Sequence, residues 1–312
     1  MADMKFIEYP ALPRRLPAAV LGTMHFNPST QGGDFALLDA YVAAGGDALD
    51  TAHVYGAGAS ERVIGHWLKA QGNRKSVTLV TKGCHPKGDG NPRVTPEAIR
   101  EDISESLDRL LTGYADIWLF HRDDPAVPVG ELVDALNTGI RNGMIHAAGA
   151  SNWTIARIRE ANDYAAKRGL AGFCLSSVNL SLAVPQVQVW PGCLSAGKED
   201  LEWHEKAGFP LLAWSPQARG LFNERYERGT PWSDELKRLF GYPGSFARLE
   251  RARVMAREKS ATSNRIALAW VLSRPFPVSA VIGPRNKEQM ADSLEAMDLR
   301  LSPREMEWLE QG

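Results

Sequence analysis

The stretch Ala48–Glu61, ALDTAHVYGAGASE, combines a short apolar strand, a polar loop and the start of a helix. Asp50 stands at the end of the predicted strand, Tyr55 lies in the loop, and the helix is expected to begin near Ser60. A carboxylic acid and a phenol close together at the edge of a buried strand can both exchange protons. The stretch therefore predicts a proton-handling site, and the rest of the chain is expected to supply its partners and its scaffold.

Short apolar or β-branched runs alternate with helical patterns along the rest of the chain. The predicted strands are residues 18–21, 48–50, 77–81, 115–120, 145–150, 173–178, 209–214 and 278–282. Parallel strands need crossover helices, and strands that are apolar throughout are typical of sheets covered on both faces. These strand–helix units predict an α/β protein in which residues 1–312 form a single (β/α)8 TIM barrel domain.

Two additions to the barrel are expected. A long polar segment, residues 219–244, follows the seventh predicted strand and is a candidate binding loop because it exceeds an ordinary connection. The eighth predicted helix spans residues 287–296, and the residues that follow it are expected to form a C-terminal extension.

Composition limits the classes of function. The chain has 312 residues, a formal net charge of −1 and no basic run, so neither nucleic acid nor a membrane is an expected partner. No apolar run approaches the roughly 20 residues that cross a bilayer, and the first residues lack the apolar core of a secretory signal. Cys84, Cys174 and Cys193 are scattered and are interpreted as reduced thiols, which predicts a cytoplasmic protein.

Four polar side chains lie at or just beyond the ends of three consecutive predicted strands: Asp50, Tyr55, Lys82 and His121. The carboxyl ends of barrel strands meet on one face, where the chemistry of such barrels is located. Lys82 would favour the phenolate and lower the pKa of Tyr55 from its usual value of about 10. Asp50 would keep Lys82 charged, and His121 would orient a substrate oxygen. Tyr55 is therefore predicted to be the general acid for a carbonyl oxygen that gains negative charge.

Other interpretations of the same residues remain open. A polar side chain at a strand end is often only a satisfied structural group. His53, His121 and Asp50 could form a metal site, but Lys82 beside a divalent cation is unfavourable, and no metal is expected. The stretch from Gly56 begins like a phosphate-binding GxGxxG loop but has Glu61 in place of the third glycine, so a plain loop is predicted. A proton donor without a nucleophile or a metal needs an attacking hydride, and a nicotinamide is its natural source.

The residues resemble the motifs of the aldo-keto reductases over nearly the whole chain. The most specific matches are Asp50-Thr51-Ala52 with Tyr55-Gly56 and Ser60-Glu61, followed by Val80-Thr81-Lys82 and Leu119-Phe120-His121-Arg122. The resemblance implies a reductase that converts an aldehyde or ketone to an alcohol with NAD(P)H, with Asp50, Tyr55, Lys82 and His121 as catalytic residues. The alternatives are a cofactor-binding regulatory or channel-associated subunit with little turnover, and a metal-dependent barrel hydrolase.

The resemblance also implies a set of cofactor-binding residues. They are Gly22, Thr23, Met24, Asp50, Ser151, Asn152, Ser177, Trp214, Ser215, Pro216, Gln217, Arg219, Gly220, Gly283, Pro284, Arg285, Gln289 and Ser293. Trp214 would stack on the nicotinamide, and Arg285 could bind a 2′-phosphate near a helix start, which favours NADPH over NADH. The family usually has glutamine at Ser177, leucine at Gln217 and asparagine at Ser293, so the cofactor contacts are altered.

A substrate pocket is expected beside the phenol. Its predicted residues are His25, Tyr55, His121, Arg122 and Trp190. This mixture of polar and aromatic groups suits a small-molecule carbonyl substrate with several hydroxyl groups, such as a sugar-derived aldehyde. The oligomeric state is not determined by the sequence.

Overall fold

The computed structural model describes residues 4–88, 90–223 and 231–311. The strands in these ranges are β1 Phe6–Ile7, β2 Leu16–Pro17, β3 Ala19–Gly22, β4 Ala48–Asp50, β5 Thr78–Gly83, β6 Ala115–Phe120, β7 Ile145–Ser151, β8 Phe173–Ser177, β9 Leu211–Trp214 and β10 Val278–Ile282. The helices are α1 Gln31–Ala43, α2 Ala59–Gln71, α3 Pro96–Arg109, α4 Val129–Arg141, α5 Ile155–Arg168, α6 Lys198–Ala207, α7 Asp234–Phe240, α8 Pro243–Glu258, α9 Ser263–Leu272, α10 Lys287–Glu295 and α11 Pro303–Glu310.

Strands β3 to β10 form a closed barrel in the order β10-β3-β4-β5-β6-β7-β8-β9, and β1 and β2 form a separate two-stranded sheet. The recorded strand pairs in the barrel are parallel. The register places Asp50 opposite Val80 and Lys82 opposite Leu119, so the ends of β4, β5 and β6 are neighbours. The predicted (β/α)8 TIM barrel is therefore confirmed.

Two compact units can be distinguished in the chain. The first, called the tyrosine unit, comprises Glu8–Leu16 and Val20–Ser177 and contains Tyr55 with β4 to β8. The second, called the tryptophan unit, comprises Met1–Ile7, Pro17–Ala19 and Val178–Gly312 and contains Trp214 with β9 and β10.

The core of the tyrosine unit explains its apolar strands. In β5 and β6 both faces are covered, and Leu79, Val80, Leu119 and Phe120 have no exposed surface. Burying each such side chain stabilises the fold by about 1.5–3 kcal/mol. The ring of Phe120 packs against Trp153, with ring centroids 5.0 Å apart. This packing fixes the end of β6 immediately before His121.

Local signals in the sequence account for many helix ends. Thr95 caps α3, and its side chain accepts a hydrogen bond from the Ala98 amide, as its position before Pro96 predicts. Gly169 and Gly208 end α5 and α6 in the left-handed region, with φ of 65° and 59°. There glycine avoids the steric strain that a Cβ atom would cause.

The predicted polar segment 219–244 is partly helical. Helix α7 occupies Asp234–Phe240, and α8 begins at Pro243, before the predicted start at Phe246. Ser233 caps α7, while Leu236, Leu239 and Phe240 are buried on one side of it. Part of the segment that was predicted as a long loop is therefore the short amphipathic helix α7, which stands in a mostly polar stretch. Residues 224–230 of this segment lie outside the described residues.

None of the helices in the described residues is both long enough and apolar enough to cross a membrane.

Candidate active site

The ends of β4, β5 and β6 bring the predicted tetrad together in the tyrosine unit. Asp50 is the last residue of β4, Lys82 is next to last in β5, and His121 directly follows β6. Tyr55 lies one loop further on and begins a short 3₁₀ turn, residues Tyr55–Gly58. Because parallel neighbours end on the same side of the sheet, side chains far apart in sequence meet at this edge.

Lys82 is the centre of the cluster. Its Nζ donates hydrogen bonds to Asp50 Oδ1 at 2.7 Å and to the Thr51 carbonyl oxygen at 2.8 Å, and lies 3.5 Å from Tyr55 Oη. Only 3% of the Lys82 side chain and 4% of the Asp50 side chain is exposed. An ion pair this deeply buried persists only when its geometry and remaining hydrogen bonds offset the cost of desolvation. The Thr51 carbonyl supplies one of those bonds.

Charges around Lys82 set the protonation states of the cluster. Burial opposes the charge of Lys82, but Asp50 and Tyr55 more than offset it, so the pKa of Lys82 is raised. Burial raises the pKa of Tyr55 above its usual value, and Lys82 lowers it by a smaller amount. The expected net decrease was therefore wrong, because desolvation of a phenolate outweighs one ammonium 3.5 Å away. At neutral pH Tyr55 is a protonated phenol beside a cation.

His121 lies against the phenol as a neutral imidazole. The rings of His121 and Tyr55 meet edge to face, with centroids 5.7 Å apart. Burial, followed by Lys82 and Arg122, holds the pKa of His121 well below its usual range. Its backbone carbonyl accepts hydrogen bonds from Arg122 Nη1 at 2.7 Å and Asn152 Nδ2 at 3.2 Å. A buried, neutral imidazole can donate a hydrogen bond to a substrate oxygen without carrying a charge.

His85 was missed by the sequence analysis. It follows the end of β5, and its ring meets the ring of His121 edge to face, with centroids 4.9 Å apart. The side chain is half-buried, and burial lowers its pKa. The only signal for it in the sequence is a histidine three residues after Lys82.

The loop that carries Tyr55 is held by charged residues of α3. Arg109 donates to the His53 carbonyl at 3.0 Å, and to Glu61 and Glu105 at 3.3 Å and 2.7 Å. Glu61 is completely buried and also accepts a hydrogen bond from Thr81 at 2.8 Å, next to Lys82. The residue that breaks the GxGxxG pattern therefore joins the Tyr55 loop to the strand of Lys82.

The backbone of the Tyr55 loop is bent into the left-handed region. Ala57 has φ of 52°, a conformation that costs energy for a residue with a Cβ atom. Gly58 has φ of 83°, and a Cβ atom there would lie 2.7 Å from the Arg109 side chain. The Thr23 hydroxyl donates to the Asp50 carbonyl at 2.9 Å and also contacts Ser60, which ties β3 to this loop. These contacts fix the direction in which the phenol leaves the loop.

Residues predicted to contact a nicotinamide in the tyrosine unit lie at the ends of β7 and β8. Ser151 and Ser177 end these strands, and Asn152 has φ of 60°. The Asn152 amide N–H donates to the Ser177 carbonyl at 3.0 Å, so the three residues form one group. Among the described residues, the buried Ser177 hydroxyl has no hydrogen-bond partner. A buried hydroxyl without a partner is available to a polar ligand group.

Gly22, Met24 and His25 belong to the end of β3 in the tyrosine unit. Gly22 is the last residue of β3, whereas Met24 is half-buried and His25 is exposed beyond it.

In the tryptophan unit, aromatic and charged side chains stack around Trp214, the last residue of β9. The Trp190 and Trp214 rings lie 5.8 Å apart, and the Arg219 guanidinium lies 4.6 Å from the Trp190 centroid. Arg219 is in turn paired with Glu235 of α7 at 3.0 Å. Trp190 was predicted to line the substrate pocket and Arg219 to bind the cofactor. In the structure Trp190 contacts Trp214, and Arg219 contacts Trp190.

Two departures from the family pattern contact each other. Gln217 Nε2 donates to Ser293 Oγ at 3.0 Å, which joins the loop after β9 to α10. The same loop contains Ser215 at φ of 49° and Gly220 at φ of 87°, with the buried Pro216 between them. This bond joins two segments that are predicted to bind the cofactor.

The start of α10 contains the residues predicted for the adenosine side. Asn286 caps this helix by accepting a hydrogen bond from the Gln289 amide at 2.8 Å. Gln289 in turn accepts a bond from the Arg285 amide at 2.9 Å. Gly283 and Arg285 are exposed, whereas Pro284 is buried. A capped helix start beside an exposed arginine fits a phosphate group.

Each unit contains a buried polar atom that could bind a polar group of a ligand. In the tyrosine unit the Ser177 hydroxyl, and in the tryptophan unit the Trp214 Nε1 atom, are buried and lack a partner in the described ranges. Both are hydrogen-bond donors at positions predicted for the nicotinamide. For comparison, residues 4–88, 90–223 and 231–311 contain no group of three or more His, Cys, Asp or Glu residues that could hold a metal ion.

The fold is a (β/α)8 barrel, and the cluster of Asp50, Tyr55, Lys82 and His121 lies at the carboxyl ends of its strands. The model of the Aldo/keto reductase family matches residues 19–311, and the chain belongs to this family. It is accordingly an NAD(P)H-dependent aldo-keto reductase.

Individual relatives cover most of the chain. It is 30% identical over 312 residues to the uncharacterized oxidoreductase YrpG of Bacillus subtilis, covering 95% of this chain and 92% of the relative. It is 28% identical over 303 residues to an aryl-alcohol dehydrogenase [NADP(+)] of Phanerodontia chrysosporium, covering 93% and 77%. The crystal structure of the thermostable aldo-keto reductase Tm1743 with epalrestat superposes with a TM-score of 0.76 at 24% identity, covering 98% and 99%, which supports the fold.

Proposed function

We propose that Tyr55 protonates the carbonyl oxygen of an aldehyde or ketone while a nicotinamide cofactor supplies the hydride. The observation that carries this assignment is the position of Lys82, which lies 2.7 Å from Asp50 and 3.5 Å from Tyr55 inside the protein. The ammonium stabilises the phenolate that forms when Tyr55 gives up its proton. The phenolate then takes a proton from solvent, so each turnover converts a carbonyl, a hydride and a proton to an alcohol.

The other members of the tetrad support this transfer. Asp50 keeps Lys82 charged and oriented, and the Thr51 carbonyl fixes the same ammonium. His121 is neutral because of burial and nearby cations, so it donates a hydrogen bond to the substrate oxygen without competing as an acid. Together Tyr55 and His121 would hold the oxygen where negative charge develops.

The cofactor is proposed to be NADPH rather than NADH. Ser151, Asn152 and Ser177 would hold the carboxamide of the nicotinamide, and Trp214 would stack on its ring. The exposed Arg285 beside the start of α10 would bind the 2′-phosphate. The name of the aryl-alcohol dehydrogenase relative, which specifies NADP(+), supports this choice.

The proposal extends to the organisation and location of the protein. We treat residues 1–312 as one domain, supported by the closed barrel and by the family match over residues 19–311. A cytoplasmic location is proposed because Cys84, Cys174 and Cys193 are buried free thiols, which a reducing compartment preserves. The substrate is proposed to be a small carbonyl compound with several hydroxyl groups, bound near Tyr55, His121 and Arg122.

Steady-state kinetics with the purified chain test the proposed reaction. Loss of reduced cofactor absorbance and appearance of the alcohol are measured with sugar-derived aldehydes and with simple aromatic aldehydes, each with NADPH and with NADH. We expect turnover with both classes of aldehyde, a higher kcat/KM for the sugar-derived set, and a lower KM for NADPH than for NADH.

The outcomes separate the parts of the proposal. A preference for aromatic aldehydes would contradict the proposed substrate class but not the proposed reaction. Equal use of NADH would remove the role of Arg285. Tight cofactor binding without turnover of any carbonyl would support a regulatory subunit on the same fold, and hydrolysis abolished by a chelator would support a metal-dependent enzyme.

A further inference from the structure

His85 lies beside the proposed catalytic histidine but has no role in the proton transfer described above. Its ring contacts the His121 ring edge to face, with a centroid separation of 4.9 Å and an interplanar angle of 68°. The His121 ring contacts Tyr55 at 5.7 Å. His85 therefore borders the imidazole that is proposed to bind the substrate oxygen.

The hydrogen-bond partner of His85 fixes its tautomer. Nδ1 of His85 lies 2.8 Å from the backbone carbonyl oxygen of Pro86. A carbonyl oxygen only accepts hydrogen bonds, so Nδ1 carries the proton. In a neutral imidazole the other nitrogen, Nε2, is then an acceptor on the opposite side of the ring.

The surroundings keep this ring neutral. Burial lowers the pKa of His85, and Arg122 lowers it further, against the opposing effect of the Pro86 hydrogen bond. The imidazole of His121 on one side is also held neutral. The half-buried ring therefore offers a fixed acceptor in a region that otherwise presents donors from Tyr55, His121 and Arg122.

We propose that His85 determines specificity by accepting a hydrogen bond, through Nε2, from a hydroxyl group on the carbon next to the reacting carbonyl. The substrate class is then 2-hydroxyaldehydes and 2-hydroxyketones, an assignment that rests on the proposed function. The two oxygens of such a substrate are matched to opposite partners: the carbonyl oxygen accepts from Tyr55 and His121, and the hydroxyl donates to His85.

The same geometry discriminates against close analogues. An aldehyde with hydrogen in place of the hydroxyl leaves Nε2 of His85 without a hydrogen bond, which weakens binding. A second carbonyl at the same carbon is itself an acceptor and meets the lone pair of Nε2, so 2-oxoaldehydes are disfavoured. Specificity arises from the direction of one hydrogen bond.

Kinetics with matched aldehydes test the role of His85. The probes are 2-hydroxypropanal, propanal and 2-oxopropanal, with saturating NADPH and the complete chain. For the wild type, we expect kcat/KM for 2-hydroxypropanal to exceed that for propanal by roughly tenfold, as for one hydrogen bond to a neutral group. In His85→Phe, which keeps a ring but has no acceptor, the ratio of kcat/KM for 2-hydroxypropanal to that for propanal should fall about tenfold.

Further variants separate recognition from folding. His85→Gln retains a carbonyl acceptor and should keep part of the preference, and His66→Phe makes the same change at an exposed position of α2 and should keep all of it. His85→Leu gives the same comparison if His85→Phe does not fold. The inference is overturned if the wild type does not distinguish the two aldehydes, or if His85→Phe retains the wild-type ratio. Absence of turnover with every aldehyde would contradict the proposed function as well. Equal kcat/KM for 2-hydroxypropanal and propanal would contradict only the role of His85.

Discussion

Two ion pairs in the tyrosine unit have similar lengths and different surroundings. Arg74 and Asp116 are 2.9 Å apart near the amino ends of β5 and β6, and Lys82 and Asp50 are 2.7 Å apart at the carboxyl ends of β5 and β4. The side chains of the first pair are 16% and 17% exposed, and those of the second are 3% and 4% exposed.

The two pairs also differ in how their remaining atoms are used. Arg74 donates to the carbonyls of Val77 and Tyr114, and Asp116 accepts from the Leu79 amide. The hydrogen bonds of this pair therefore join neighbouring parts of the sheet. Both cations lie near a tyrosine, but Arg74 lies over the face of the Tyr114 ring, 3.9 Å from its centroid, whereas Lys82 Nζ lies 3.5 Å from the Tyr55 hydroxyl. The second carboxylate oxygen of Asp50 is buried and has no partner among the described residues.

The difference shows how an ion pair becomes part of an active site. In the Arg74–Asp116 pair the remaining hydrogen bonds go to backbone groups and to the Thr112 hydroxyl, so this pair stabilises the fold. A pair that is buried and turned toward a titratable group alters the energy of moving that group's proton. The distance between the charges is similar in both cases, so the neighbouring atoms decide the role.

The largest expected difference between the two ion pairs is seen when the phenolic hydroxyl beside each cation is removed. Tyr55→Phe should lower kcat by roughly 10²–10⁴-fold, the usual contribution of a general acid, while the Kd for NADPH stays the same. Tyr114→Phe, beside Arg74, is the matched control and should retain wild-type kcat. Single-turnover kinetics and cofactor fluorescence titration measure the two quantities. Turnover in Tyr55→Phe near the wild-type rate would show that the proton comes from another group.

The next test replaces the cation of each pair. Lys82→Met leaves Asp50 buried without its counter-charge, so unfolding free energy should fall by about 3–5 kcal/mol and turnover should be lost. Arg74→Met leaves Asp116 partly solvated and should cost about 1–3 kcal/mol with kcat retained. Urea unfolding without cofactor, combined with steady-state rates, separates stability from activity. The comparison fails if Arg74→Met loses activity as Lys82→Met does.

The smallest expected effect concerns the dependence of stability on pH. His121 has a folded-state pKa well below its usual 6.5, so the unfolded chain binds a proton that the folded chain does not. Its contribution is fully present above about pH 6.5 and is lost as pH falls, at about 1.4 kcal/mol per pH unit. Between pH 6.5 and 5.5 the free energy of unfolding of His121→Gln should therefore fall by about 1 kcal/mol less than that of the wild type.

A control for this pH effect comes from the same edge of the barrel. Ser177→Ala removes a buried polar atom without removing a proton site, so it should keep the wild-type slope. Denaturant unfolding at a series of pH values gives the slopes. An identical slope in His121→Gln and the wild type would mean that His121 is protonated in the folded protein.

Much of the fold could be predicted because its signals are local. The strands Ala48–Asp50, Ala115–Phe120 and Val278–Ile282 begin and end where the apolar runs do. Helix α7 was missed because its apolar residues fill only a few positions in a polar stretch. Short helices depend on tertiary burial more than on their own propensity, so sequence pattern is a weak guide to them.

The candidate site was predicted less evenly. Asp50, Lys82 and His121 could be placed because each stands at the end of a strand in a parallel barrel. His85 could not, since its place in the site depends on the direction of one ring beside His121. Arg109 lies on α3 and reaches the His53 carbonyl at 3.0 Å, a contact across the chain that no local pattern marks.

By itself the sequence determined that the chain is a parallel barrel and that an acid, a phenol, an ammonium and an imidazole stand at one edge. Alternation of apolar strands with helices and the positions of polar residues after those strands suffice for this, because both are local and periodic. Only the tertiary structure decided the balance of charge. Burial raises the pKa of Tyr55 although Lys82 opposes it, and the Nδ1 atom of His85 is bound to the Pro86 carbonyl. Desolvation and hydrogen-bond direction depend on what surrounds a group in space, which the order of residues along the chain does not state.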